Sequence, residues 1–276
     1  MAITIKVPSY VTLADERRMA FDEVTPANPK GAVLLLTGLA SKRLGWRRQI
    51  DVFGQEYRTI ALDHRGTGDS DPATGPYTVA DMADDAAAVL RALGIAKAHV
   101  IGISLGGFAA LHLTLRHPEL VDKLVLTSTS AGGATHVAPS QEMLAMLATV
   151  DPDVEIGERG RRNYTRIMAP GYAAAHPDDL ETIAEVARYQ PQTPEQYMLQ
   201  LQAAMSNDAA QRLGEIRVPA LVIHGADDPL VPPQNGEYLA AHIPGAKHIV
   251  YPNCGHIPIV ECADQYNRDV LAFLAS

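Results

Sequence analysis

Short runs of aliphatic and β-branched residues recur along the chain at 33–37, 59–63, 98–103, 124–128, 220–224 and 249–251, with longer segments of helical period between them. Strands that read as continuous apolar runs are covered on both faces, so the alternation predicts a mostly parallel sheet flanked by helices. The segment 79–93 sets Val79, Met82, Ala83, Ala86, Val89, Leu90 and Leu93 on one helical face and stops at Gly94. A second amphipathic helix is predicted at 263–274. Two early runs, 4–7 and 18–24, predict an antiparallel edge.

One interval breaks this rhythm. From 132 to 213 no strand pattern occurs; helical periods at 141–150, 179–189 and 194–205 are punctuated by Pro170-Gly171, Pro177 and Pro191. A structureless loop of that length is improbable in a compact domain. The sequence therefore predicts a core formed by 1–131 and 214–276 and a helical cap formed by 132–213. Its place between two strands predicts a lid over the carboxyl ends of the sheet, where open α/β folds bind ligands. Neither an internal repeat nor a low-complexity tract interrupts the chain.

Composition narrows the partners. With 276 residues, 47% of them hydrophobic and 20% charged, one domain with a substantial core is expected. The formal charge of −9 argues against nucleic acid and against an anionic membrane surface. Cys254 and Cys262 are too few for a disulfide framework and lack zinc-site spacing, so both are expected as free thiols, with no metal. No secretory leader or long apolar span is visible, which predicts a cytoplasmic protein. A homo-oligomer stays open.

The candidate chemistry begins where the run at 98–103 ends, in G-I-S-L-G-G at 102–107. A strand, a serine between glycines and then a helix at 108–116 is a nucleophile elbow: the sharp turn strains the serine backbone, and side chains two residues to either side would collide. Ser104 stands at that corner, at a helix N-terminus, so the amide of Leu105 points toward any negative charge that develops beside it. A serine nucleophile needs a base, and the base needs an orienting acid. Of ten histidines, His256 follows the last strand in Y-P-N-C-G-H-I-P-I-V-E, a turn able to hang a side chain over the sheet end. In V-I-H-G-A-D-D-P-L-V-P, Asp227 and Asp228 lie just past another strand, completing the order serine, aspartate, histidine.

These segments resemble the α/β-hydrolases, in particular the small lidded branch that includes 3-oxoadipate enol-lactonases, carboxylesterases and cofactor-free haloperoxidase-type perhydrolases. The resemblance runs through L-L-L-T-G-L-A-S with Trp46, A-L-D-H-R-G-T-G-D-S-D, G-P-Y-T-V-A-D-M-A-D-D, R-H-P-E-L-V-D-K-L-V-L, the elbow and the two late motifs, nearly the whole chain outside the cap. It implies an eight-stranded α/β-hydrolase fold and a cofactor-independent serine hydrolase acting on a small-molecule carboxylic ester or lactone. The family spacing of glycine, two residues, acid, three residues and proline selects Asp228 over Asp227, with Ser104 as nucleophile and His256 as base. Many relatives carry His-Gly where this chain has Thr37-Gly38, and the resemblance makes the amide of Leu39 the second oxyanion donor beside that of Leu105. His64, in D-H-R-G, reads as part of a structural turn. A perhydrolase, an acyltransferase or a carbon–carbon bond hydrolase would use the same triad, whereas a ligand-binding receptor on this scaffold would not turn over. An aspartate-nucleophile enzyme is disfavoured by Ser104. Within the cap, Tyr164, Met168, Tyr172 and Met198 are candidates for an acyl pocket, and Arg161, Arg162 and Arg166 for a substrate carboxylate, against plain lid packing and solvent exposure respectively.

Overall fold

In the computed structural model, residues 6–149, 151 and 153–276 are described. Among them, β1 (Ser9–Thr12), β2 (Arg18–Val24), β3 (Ala32–Leu36), β4 (Arg58–Leu62), β5 (Ala98–Ile103), β6 (Val121–Thr127), β7 (Ala220–Gly225) and β8 (Lys247–Tyr251) form one eight-stranded sheet. The order is β1-β2-β4-β3-β5-β6-β7-β8; β1 and β2 are antiparallel and every later pairing is parallel except that of β2 with β4. The expected antiparallel edge is present but displaced. Of the run 4–7, Thr4 and Ile5 lie outside the described residues, and Lys6 and Val7 belong to no strand. The edge strand is β1 instead, and because its residues are mostly exposed it leaves no hydrophobic signature in the sequence.

Alternation along the strands divides the core into two layers. Leu34, Leu36, Ile60, Leu62, Val100, Leu124 and Val222 face one way, against α2 (Val79–Ala92), α3 (Leu105–Arg116) and α9 (Gln234–His242). Val33, Leu35, Ile101, Val125, Leu221 and Ile223 face the other, against α1 (Ile50–Phe53), α10 (Pro258–Glu261) and α11 (Ala263–Ala275). Helix α2 starts where expected because Thr78 and Asp81 form a reciprocal capping box.

Between β6 and β7 the chain forms α4 (Gln141–Ala148), α5 (Ile156–Ile167), α6 (Tyr172–Ala175), α7 (Pro177–Arg188) and α8 (Pro194–Met205). The predicted helix 141–150 ends at Ala148, and Val150 lies outside the described residues. Helix α5 has no counterpart among the predicted elements; it packs against α7. The only strand-like feature described within 132–213 is an isolated bridge between Gly132 and Asp208. This helical segment is tied to the loops beyond the carboxyl ends of the strands: the Ile167 carbonyl accepts from His256 N at 2.7 Å, and Gln200 Oε1 accepts from Ala40 N at 2.9 Å.

Candidate active site

The turn from β5 to α3 carries Ser104 with φ 54° and ψ −120°, a left-handed φ that a non-glycine residue adopts only where its surroundings enforce it. The enforcement is steric and polar. A Cβ on Gly102 would lie 2.2 Å from the Gly106 carbonyl oxygen, and one on Gly106 would lie 2.1 Å from that of Leu36, so helix and strands approach more closely than any side chain permits. Ser104 N donates to the Thr127 carbonyl at 2.9 Å, and the Thr129 hydroxyl donates to the Ser104 carbonyl at 2.8 Å.

The loop after β3 runs beside this corner. A Cβ on Gly38 would sit 3.4 Å from Ser104 Cβ and 3.9 Å from its Oγ. The next amide is that of Leu39; among the described residues neither it nor the amide of Leu105 donates to a protein acceptor. His64, only 2% exposed, donates from Nε2 to the Thr37 carbonyl at 3.1 Å and so steadies the same loop. Burial holds its imidazole down at about 4, which keeps the ring neutral. This matches the structural reading of His64 and adds what it supports.

Beyond β7, Asp228 is 4% exposed whereas its neighbour Asp227 is exposed. Asp228 Oδ1 accepts from the amides of Leu230 and Val231, each at 2.9 Å, and Oδ2 accepts from His256 Nδ1 at 2.8 Å. Burial would raise this carboxyl; His256 and His224 outweigh it and hold it at about 2. His224 Nε2 lies 3.4 Å from Asp228 Oδ2 while donating to the Val231 carbonyl at 2.8 Å. The loop after β8 that bears His256 is clamped by Glu261: its carboxylate accepts from the amides of Ala169 at 2.7 Å, Gly255 at 2.9 Å and Ile257 at 3.1 Å. Glu261 stands in the quoted G-H-I-P-I-V-E motif, but nothing in the pattern says that it closes a loop.

Ser104, His256, Gly38 and Leu39 line one cavity of about 190 Å³, together with Lys42, Arg47 and mostly apolar residues of the helical segment. Among the described residues Ser104 Oγ and His256 form no hydrogen bond; such contacts are often loose until substrate binds. Of the cap candidates only Tyr164 lines this cavity. Met168 is packed into the core, Tyr172 donates to Asp179, and Met198 is 40% exposed. Arg161 and Arg162 pair with Glu158, and Arg166 is exposed. No group of three or more metal-ligating side chains occurs among the described residues, and none of their helices is long and apolar enough to cross a membrane.

This chain belongs to the alpha/beta hydrolase fold family, whose model matches residues 31–262. A Caulobacter sp. (strain K31) protein named "Putative carbamate hydrolase RutD" is 32% identical over 252 residues, spanning 91% of this chain and 92% of that protein. The 2-hydroxy-6-oxononadienedioate/2-hydroxy-6-oxononatrienedioate hydrolase of Burkholderia vietnamiensis (strain G4 / LMG 22486) is 32% identical over 281 residues, spanning 98% of this chain and 96% of its own. Among solved structures, the enol-lactonase from Burkholderia xenovorans LB400 shares the fold with a TM-score of 0.86 at 24% identity, over 97% of this chain and 100% of its own.

Proposed function

We propose that this alpha/beta hydrolase is a serine hydrolase that cleaves a carboxylic ester or lactone of a small molecule. The observation that carries the reading is the buried His256–Asp228 pair, joined at 2.8 Å, with His256 lining the same cavity as the strained Ser104. Because Nδ1 donates to Asp228, the other ring nitrogen of His256 is free to take a proton. Ser104 Oγ attacks the carbonyl carbon as its proton passes to His256. The amides of Leu39 and Leu105 hold the oxyanion, each contributing roughly 3 kcal/mol as such donors do. His256 then protonates the leaving oxygen, and an acyl-enzyme remains on Ser104. Water, deprotonated by His256, releases the acid and restores the serine. Residues 132–213 act in this reading as a lid that shapes the acyl pocket and excludes water.

A second reading, hydrolysis of a carbon–carbon bond with the same three residues, is favoured by the dienedioate hydrolase relative that spans 98% of this chain. A screen over short esters, enol-lactones, carbamates and vinylogous diketones, with Ser104→Ala as blank, tests both. Turnover of an ester or lactone that the variant loses supports the first reading; turnover confined to diketones replaces it with the second.

A further inference from the structure

The residues that line the cavity of Ser104 and His256 include two cationic ones, Lys42 and Arg47, and no described carboxylate. In a chain with a formal charge of −9, such a lining runs against the composition. Lys42 is only 3% exposed; its Nζ donates to the carbonyls of Val186 at 3.0 Å and Ala187 at 3.3 Å, which leaves one of its three protons uncommitted. Burial pushes its ammonium down to about 8, so it is still cationic at neutral pH.

Arg47 is the more telling of the two. It is half-buried, and among the described residues its guanidinium has no hydrogen bond and no ion pair. Arg47 also borders a separate cleft beside β2; burial and the like charge of Arg48 hold its guanidinium below the ordinary range, against the opposing pull of Asp179, Tyr164 and Tyr172 of the helical segment, and Tyr164 lines the catalytic cavity. Asp179 is already engaged by Arg48 and by the Tyr172 hydroxyl. A partly desolvated guanidinium without a partner is unfavourable, and its planar fork of donors matches a carboxylate.

We propose that Arg47, assisted by Lys42, binds a carboxylate carried on the acyl part of the substrate, so that the preferred substrates are esters or lactones of small dicarboxylic acids. This rests on assigning the Ser104 cavity as the substrate site. It replaces Arg161, Arg162 and Arg166 as anion-binding candidates, since these do not line that cavity.

The test is calorimetric binding of monomethyl glutarate and dimethyl glutarate to the Ser104→Ala protein, with and without Arg47→Gln or Arg47→Lys. Binding, unlike turnover, does not depend on the assigned chemistry, so failure of the proposal is separable from failure of the catalytic reading. A preference for the monoanion over the diester that falls about tenfold or more in Arg47→Gln and is partly kept in Arg47→Lys is expected. A merely structural role would weaken both ligands alike and leave their ratio unchanged. No preference for the monoanion, or a preference indifferent to Arg47→Gln, overturns the proposal; Lys42→Met, read by the same ratio, covers the case in which Arg47→Gln does not fold.

Discussion

His256 Nδ1 donates to Asp228 Oδ2 at 2.8 Å in a site where both residues are 4% exposed, while Asp227, one position earlier, is exposed. Adjacent residues in this turn face opposite ways. Asp228→Asn is therefore expected to lower kcat by several orders of magnitude, on the order of the 10⁴ seen when a triad acid loses its charge. Asp227→Asn should keep most of the activity. Steady-state kinetics on one ester decides the matter: equal losses would show that the pair acts together or supports the turn.

Glu261 touches no reacting atom, yet it accepts three amides around the loop that carries His256. Glu261→Ala leaves those donors unsatisfied, at about 1–3 kcal/mol for each that stays buried. Turnover should fall by more than about tenfold, and Glu261→Gln, which keeps an acceptor oxygen, should recover part of it. Stability of each variant is read alongside by thermal melting. A Glu261→Ala protein with unchanged turnover would remove Glu261 from the positioning of His256.

The elbow has no room for a methyl group. Gly106→Ala would place a Cβ 2.1 Å from the Leu36 carbonyl, a backbone atom that cannot swing aside, whereas the same change at Gly75 meets nothing within 4 Å. Gly106→Ala should cost about 1–3 kcal/mol or more, visible as a lower Tm, with Gly75→Ala near wild type. Similar melting of the two variants would contradict the tight crossing.

Histidines whose pKa burial lowers make the fold acid-sensitive. The His64 pKa is about 4 in the folded protein against an ordinary value near 6.5, and burial also lowers those of His99, His112, His136 and His248. Between those values the unfolded chain binds protons that the folded chain refuses, so this stabilisation is complete above about pH 6.5 and is lost as pH falls toward 4. For His64 alone the loss is on the order of 3 kcal/mol. Tm should drop from pH 7 to pH 5, and the His64 ring should show no titration above pH 5 by NMR. A flat Tm, or a His64 that titrates normally, would contradict its burial.

Most of the sheet was legible because a parallel strand buried on both faces must be apolar throughout, and the elbow because glycines around a serine have a steric reason to be there. What escaped detection has physical causes as well. Helix α5 contains Gly157 and Gly160, which let it pack closely on α7, and few apolar residues mark its buried face. Helix α9 follows two prolines, Pro232 and Pro233, and has a weakly patterned surface. Nothing in the sequence singles out Lys42 and Arg47, since the helical segment that lines the cavity with them and Ser104 begins about ninety residues later in the chain. The choice of Asp228 over Asp227 was legible in the spacing from Gly225 to Pro232, but its contact with His224 and the amides of Leu230 and Val231 was not, because only the folded turn brings them to the carboxylate.

In the proposed reading His256 activates Ser104 as a nucleophile. A fluorophosphonate probe followed by peptide mass spectrometry measures this most directly, because it reports the reactivity of each serine without requiring the natural substrate. A single adduct on Ser104, absent in Ser104→Ala and strongly slowed in His256→Ala, is the predicted result. No adduct, or one on another serine that persists in Ser104→Ala, would contradict it.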